Sequence, residues 1–87
     1  MKVINKSIDV LCIFYCGKQP VPRKFRLTYS NGTVRTVTVD HVRSMEHETP
    51  LGPHSIVYCC TSEVDGCLVD YEIRYHVKEM KWELYRI

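Results

Sequence analysis

Residues 67–77 alternate between apolar and polar side chains. The odd positions are Cys, Val, Tyr, Ile, Tyr and Val, and the even positions from 70 to 76 are Asp, Glu, Arg and His. Because successive side chains of a β-strand point to opposite faces, this pattern predicts a strand with one buried face and one solvated face. Similar segments separated by turn residues cover much of the remaining chain, so the sequence predicts an all-β protein.

Strands are predicted at residues 8–16, 23–29, 33–42, 55–61, 67–77 and 81–86. Residues 43–54 are expected to be irregular, with a turn at 50–53 and the option of a short helical turn at 42–46. About six strands in sequential hairpins indicate a single domain over residues 1–87, folded as a small antiparallel barrel or bent meander. The expected core residues are Val10, Cys12, Phe14, Phe25, Leu27, Val37, Val39, Ile56, Tyr58, Val69, Tyr71, Ile73, Tyr75, Trp82 and Leu84.

The Asn31-Gly32 pair predicts a hairpin, because both residues tolerate positive φ angles. Two registers are open. A two-residue loop places Phe25 opposite Thr38, whereas a three-residue loop with Gly32 in a left-handed bulge places Phe25 opposite Val37. The second register aligns the larger apolar groups and is slightly favoured, although it turns a nearby valine at position 34 away from the core.

The five cysteines are an odd number for a disulfide framework. The apolar run at residues 10–15 is far shorter than the roughly 20 residues that cross a bilayer, and it lacks the cleavage site of a secretory signal. We therefore expect a soluble cytoplasmic protein, not bound to a membrane, whose cysteines are reduced thiols.

The sequence shows no recognisable catalytic or metal-binding motif. Cys12 and Cys16 are four residues apart, and no C-x2-C pair of the kind used by structural zinc sites occurs. Residues 46–48 and His54 are polar, and we expect them to form a solvated loop. There is no nucleophile elbow, phosphate-binding glycine loop or HExxH motif. We therefore predict that the protein is not an enzyme and uses no cofactor or metal.

Charge is distributed unevenly along the chain. Residues 1–43 contain eight basic and two acidic residues, whereas residues 44–87 contain four basic and eight acidic ones. A basic hairpin with aromatic neighbours is typical of small β-proteins that bind single-stranded nucleic acid, which makes this function the alternative hypothesis. The candidate binding residues are Lys18, Arg23, Lys24, Arg26, Arg35 and Arg43.

Protein binding is the favoured hypothesis. Tyr85 and Ile87 are opposite in phase to the expected core residues of the last strand, so they are candidates for an exposed interface with a protein partner or a second copy of the chain. The sequence thus indicates a non-catalytic binding or adaptor domain of undetermined ligand.

The arrangement of a short Phe-bearing strand, a V-x-V strand, a long loop and a closing W-x-L strand resembles small, functionally uncharacterised bacterial β-domain families. This resemblance implies a bacterial β-domain and brings no catalytic residues. It rests on Lys24-Phe25-Arg26-Leu27, Val37-Thr38-Val39, Tyr71-Glu72-Ile73 and Lys81-Trp82-Glu83-Leu84-Tyr85-Arg86.

Overall fold

The computed structural model describes residues 1–49 and 54–87, which form seven β-strands and contain no helix. The strands pair antiparallel in one sheet with the order β3-β2-β1-β7-β6-β5-β4. The prediction of an all-β fold is therefore confirmed, whereas closure into a barrel is not, because β3 and β4 remain the two edges of the sheet. The strands are β1 (Val3–Phe14), β2 (Pro20–Thr28), β3 (Val34–Thr38), β4 (His41–Glu48), β5 (Ser55–Val64), β6 (Cys67–His76) and β7 (Lys81–Arg86).

The sheet coils into a roll, because its two edge strands are joined by a short connection. Only Val39 and Asp40 separate β3 from β4, and such a link spans about 10 Å at most. Two hydrogen bonds fix this corner: the Val39 amide donates to the Arg23 carbonyl at 2.9 Å, and the Glu63 amide donates to Asp40 Oδ2 at 2.7 Å. At the opposite corner, β1 pairs with β7 through residues 3–8 and with β2 through residues 9–14.

The inner face of the roll is an apolar core with aromatic rings in contact. The Trp82 ring lies 4.6 Å from the Tyr75 ring and 5.4 Å from the Tyr58 ring, measured between centroids. The Tyr58 hydroxyl donates across the core to the Pro20 carbonyl, which links β5 to β2. The buried core cluster consists of Ile8, Phe25, Val37, Val39, Ile56, Tyr58, Cys60, Tyr71, Ile73, Tyr75, Trp82 and Leu84.

The three-residue register predicted for the Asn31-Gly32 hairpin is confirmed. Phe25 pairs with Val37, and the Tyr29 amide donates to the Thr33 carbonyl at 2.8 Å across a loop of residues 30–32. Gly32 has a φ of +86°, the left-handed conformation that this loop requires. Val34 is half exposed, as this register implies.

The prediction for residues 43–48 was wrong, because His41–Glu48 form strand β4 rather than irregular or helical chain. This strand pairs with β5 along its whole length, but seven of its eight residues are exposed on one face or the other. Because neither face of β4 is buried, its sequence lacks the apolar alternation from which a strand is predicted. The strand is recognised only from its backbone pairing with β5. The turn predicted at 50–53 lies outside the described residues.

Phe14 was also wrongly placed in the core, since 63% of its surface is exposed. The pairing of β1 with β7 ends at Ile8 and Trp82, so Phe14 lies beyond the part of β1 that β7 pairs with, and its ring is 6.4 Å from the Tyr75 ring between centroids. The β1 residue in the buried core cluster is instead Ile8, which is the last residue of β1 that pairs with β7.

Candidate binding surface on strands β1 and β2

Residues 9–13 of strand β1 expose two aliphatic side chains on the outside of the roll. Alternation along the strand turns Val10 and Cys12 towards the core and leaves Leu11 and Ile13 pointing outward. Leu11 is 59% exposed and Ile13 is 39% exposed. The sequence predicted a strand at residues 8–16 with an apolar run at residues 10–15, but it contained no signal that one face of this run would be left uncovered.

A β-bulge in β2 places two basic residues beside these aliphatic side chains. Leu11 pairs with Lys24 and Cys12 pairs with Pro22, so Arg23 has no direct partner on β1. Pro22 lacks an amide hydrogen, and prolines in sheets are often found at such irregular positions. The hydrogen bond from the Val39 amide to the Arg23 carbonyl anchors the bulge to the β3–β4 corner.

These residues surround a shallow hollow of about 410 Å³ on the outer surface. A second hollow of about 360 Å³ lies beside it, and both are lined by Leu11 and Lys24. The four residues Leu11, Ile13, Arg23 and Lys24 are referred to below as the β1–β2 face. They combine exposed aliphatic surface with positive charge.

The positive charge of the β1–β2 face is not neutralised within the described part of the chain. Over residues 1–49 and 54–87, no ion pair involves Arg23 or Lys24. The neighbouring Arg26 does have a partner, because its Nη2 atom lies 2.8 Å from Asp9 Oδ2. An acidic partner could therefore approach Arg23 and Lys24 without first displacing an internal carboxylate of that region.

The other candidate basic residues lie elsewhere on the molecule. Lys18 is in the β1–β2 turn, where its amide donates to the Tyr15 carbonyl at 3.0 Å. Arg35 Nη2 lies 2.9 Å from Asp65 Oδ2, and this hydrogen bond raises the pKa of Arg35. Arg43 Nη2 lies 3.9 Å from Asp70 Oδ1 on the outside of the β4–β6 region. Of the six residues proposed from the sequence, Arg26, Arg35 and Arg43 thus each have a carboxylate partner in the same chain.

The two arginines of the acidic second half of the chain, Arg74 and Arg86, both form ion pairs with glutamates of that half. Arg86 Nη2 lies 2.7 Å from Glu72 Oε1, and this hydrogen-bonded carboxylate raises the pKa of Arg86. Arg74 Nη1 lies 3.0 Å from Glu83 Oε1. Both guanidinium groups also contact the Tyr85 ring, with their Cζ atoms 3.6 Å and 4.6 Å from its centroid. Tyr85 is therefore already engaged by two cations of the same chain.

Tyr85 and Ile87 do not share a face. Ile73 pairs with Leu84 but Glu72 pairs with Arg86, so Tyr85 is an extra residue that shifts the phase of β7. Ile87 consequently lines a cavity on the inner side of the roll. A role of Tyr85 and Ile87 in an interface remains a prediction. That prediction rested on the two residues sharing an outer face, and in the structure they do not.

Two histidine rings, those of His47 and His54, lie side by side near the end of β4. His47 Nδ1 and His54 Nε2 lie 2.7 Å apart, so the two rings share a hydrogen bond. Across the described residues, no three His, Cys, Asp or Glu side chains converge in a way that could hold a metal ion. Burial raises the pKa of the Cys60 thiol to about 12, which suppresses its reactive thiolate form.

Comparison with protein-family models, curated proteins and solved structures finds no match to this chain. No helix long and apolar enough to cross a membrane occurs in the part of the chain that the structure describes. The resemblance to bacterial β-domain families therefore remains a prediction.

Proposed function

We propose that the protein is a non-catalytic binding or adaptor domain whose β1–β2 face takes an acidic protein segment with apolar side chains. The observation that carries this proposal is the exposure of Leu11 and Ile13 next to two basic residues, Arg23 and Lys24, that have no ion pair within residues 1–49 and 54–87. An apolar centre with a charged border is the usual composition of a protein-binding surface.

Each part of the surface contributes differently to binding. Complete burial of one aliphatic side chain stabilises a complex by about 1.5–3 kcal/mol. The exposed parts of Leu11 and Ile13 together equal about one side chain, so covering them contributes about 1.5–3 kcal/mol in total. Arg23 and Lys24 lie at the border, where charges mainly accelerate association and select the sign of the partner. The resulting affinity is modest, as expected for a reversible adaptor contact.

The proposal includes a cytoplasmic location and a bacterial origin. Its support is the state of the cysteines, which are all free and would remain reduced in that compartment, together with the resemblance to bacterial β-domain families. We also regard the coiled sheet as a small barrel that stays open between β3 and β4.

Labelled peptides can test the proposed contact by fluorescence anisotropy. The probes are a fluorescein-labelled peptide of alternating glutamate and leucine and a glutamate–serine peptide of equal length and charge. We expect the glutamate–leucine peptide to bind more tightly, because only it can cover Leu11 and Ile13. Lys24→Glu should weaken its binding about tenfold, the equivalent of roughly 1.4 kcal/mol. Lys2→Glu is the matched control, since it makes the same charge change near the far end of β1.

A second pair of variants separates the apolar contribution from the charge. Leu11→Ser should weaken binding of the glutamate–leucine peptide, whereas Leu68→Ser, which changes a leucine that is 77% exposed in β6, should not. Equal effects of the two leucine variants would contradict the proposed site. Sedimentation of the free protein identifies a second copy as the occupant if the mass is twice 10.2 kDa and Leu11→Ser abolishes the dimer.

Single-stranded nucleic acid remains the alternative ligand, and the same titration distinguishes it. A labelled oligothymidylate should bind with an affinity that falls steeply with salt if phosphate contacts dominate, because bound counterions are released. Salt-sensitive binding of the oligothymidylate through Lys24, with no binding of the glutamate–leucine peptide, would replace the protein-binding proposal with the nucleic-acid one.

A further inference from the structure

The inner side of the roll contains an apolar cavity of about 140 Å³ that is distinct from the β1–β2 face. Phe25, Val37 and Tyr71 are buried core residues that line it, and the partly buried Val69 and the half-exposed Ile87 lie around them.

The cavity lies at the end of the roll where strands β3 and β5 are adjacent but form no backbone ladder. The ladder between β4 and β5 ends at His41 and Thr61, so the last residues of β5 have no neighbour in β4. Strand β3 lies against them without joining them in a ladder. The β7 bulge adds one wall, because it turns Ile87 inward.

The size and the apolar lining of the cavity determine which hydrocarbon group of a ligand can fit into it. An engineered apolar cavity of about 150 Å³ in another protein accepts benzene and otherwise stays dry. A volume of about 140 Å³ therefore suits one aromatic ring or a short branched hydrocarbon. The cavity is open to solvent, so that such a molecule could enter without unfolding of the sheet, and the exposed Tyr29 and Ile87 stand at its border.

The one charged residue among those that line the cavity is Arg35. Its Nη2 atom donates to Asp65, but a guanidinium group has five N–H donors, so others remain for a ligand. The Arg35 and Asp65 side chains are 40% and 78% exposed, and solvent weakens such a surface pair. A guanidinium fork is well matched to a carboxylate, which it can bind through two parallel hydrogen bonds.

We propose that this cavity binds a small monocarboxylic acid with a single ring or a short branched hydrocarbon body. The hydrocarbon body packs on Phe25, Val37 and Tyr71, and the carboxylate binds the free N–H groups of Arg35. The site is independent of the proposed protein-binding role of the β1–β2 face. For a ligand of this size, we expect a dissociation constant of about 0.1–1 mM.

Titration of the 15N-labelled full chain with benzoate, followed by two-dimensional NMR, tests the proposal. We expect saturable shifts in the amides of β2, β3, β6 and the end of β7 that line the cavity. Arg35→Gln should weaken benzoate binding about tenfold and leave binding of benzyl alcohol, which lacks the carboxylate, unchanged. Arg26→Gln is the matched control, because it removes a surface arginine that also pairs with an aspartate but lies outside the cavity.

A cavity-filling variant tests the location independently of charge. Val69→Phe should abolish the binding of both benzoate and benzyl alcohol while keeping the spectrum of a folded protein. If Val69→Phe disturbs the spectrum as a whole, Val64→Phe fills the same cavity from β5. Absence of saturable shifts up to the solubility of benzoate, or shifts confined to the β1–β2 face, would overturn the proposal. Equal loss of benzoate binding in Arg26→Gln and Arg35→Gln would overturn the assignment of Arg35.

Discussion

A buried pair of hydroxyl groups holds strands β3, β5 and β6 together, and its energetics can be predicted from its geometry. Ser62 has no exposed surface, and its Oγ atom donates to the Thr38 carbonyl at 2.6 Å. Because the single Ser62 hydrogen is used in that bond, the Tyr71 hydroxyl must donate to Ser62 Oγ, 2.5 Å away. Desolvation by burial raises the pKa of Tyr71 to about 12, so this donor remains protonated at neutral pH.

The expected effect of Tyr71→Phe changes sign with the residue at position 62. In the natural chain it removes one hydrogen bond and should lower the free energy of unfolding by about 0.5–1.5 kcal/mol. Ser62→Ala removes the partner of both the Tyr71 hydroxyl and the Thr38 carbonyl, at about 1–3 kcal/mol each, so the loss should be about 2–6 kcal/mol. In the Ser62→Ala protein, Tyr71→Phe removes an unpaired buried hydroxyl and should restore about 1 kcal/mol.

Urea unfolding of the four proteins, followed by the fluorescence of the single tryptophan, measures this cycle. With a urea m-value of about 1–2 kcal/mol/M, the Ser62→Ala loss shifts the unfolding midpoint by more than about 1 M. Tyr15→Phe, at a tyrosine that is 49% exposed, is the control and should have little effect in either background. A Tyr71→Phe loss of equal size and sign in both backgrounds would refute the reasoning, because it would show that the two hydroxyl groups act independently.

Two further predictions use the same unfolding assay. Gly32→Ala should cost about 1–2 kcal/mol, because the φ of +86° disfavours a Cβ atom although no neighbour would clash with it; a loss no larger than that of Ser30→Ala would contradict this. The raised pKa of Cys60 means that the unfolded chain loses its thiol proton first, so stability should fall as pH rises from the ordinary thiol value of 9.0 towards about 12. Cys60→Ala should remove up to about 1.4 kcal/mol per pH unit from that slope, and an unchanged slope would show that the thiol does not contribute.

The parts of the fold that the sequence predicted are those determined by local pattern. The alternation in β6 identified which residues face the core, and the pairing of Phe25 with Val37 followed from turn chemistry and apolar alignment. Strand β4 was missed because neither of its faces is buried over most of its length. The sequence did not predict that Tyr85 and Ile87 point to different faces of the sheet. This difference results from the bulge at Tyr85 in the pairing of β7 with β6, and nothing in the β7 sequence indicates that bulge.

The candidate site was predictable only in part, for a related reason. The sequence identified the basic residues but not their carboxylate partners, since Arg26 pairs with Asp9 and Arg35 pairs with Asp65, each far away along the chain. These pairs depend on which strands become neighbours in the coiled sheet. Exposure of Leu11 depends in the same way on the absence of a covering element on that side of β1 in the described structure.

The strand sharing at the two corners has a consequence for how the molecule opens. Strand β1 pairs with β7 over one half and with β2 over the other. Separation of β1, β2 and β3 from the rest of the sheet therefore also leaves one side of β7 without its partner strand. The link through Val39 and Asp40 couples the same two sections at the other corner. Local opening of one section alone should therefore be disfavoured. Amide hydrogens in β1 residues 3–8 and 9–14 should exchange through the same cooperative unfolding event rather than as two separate units.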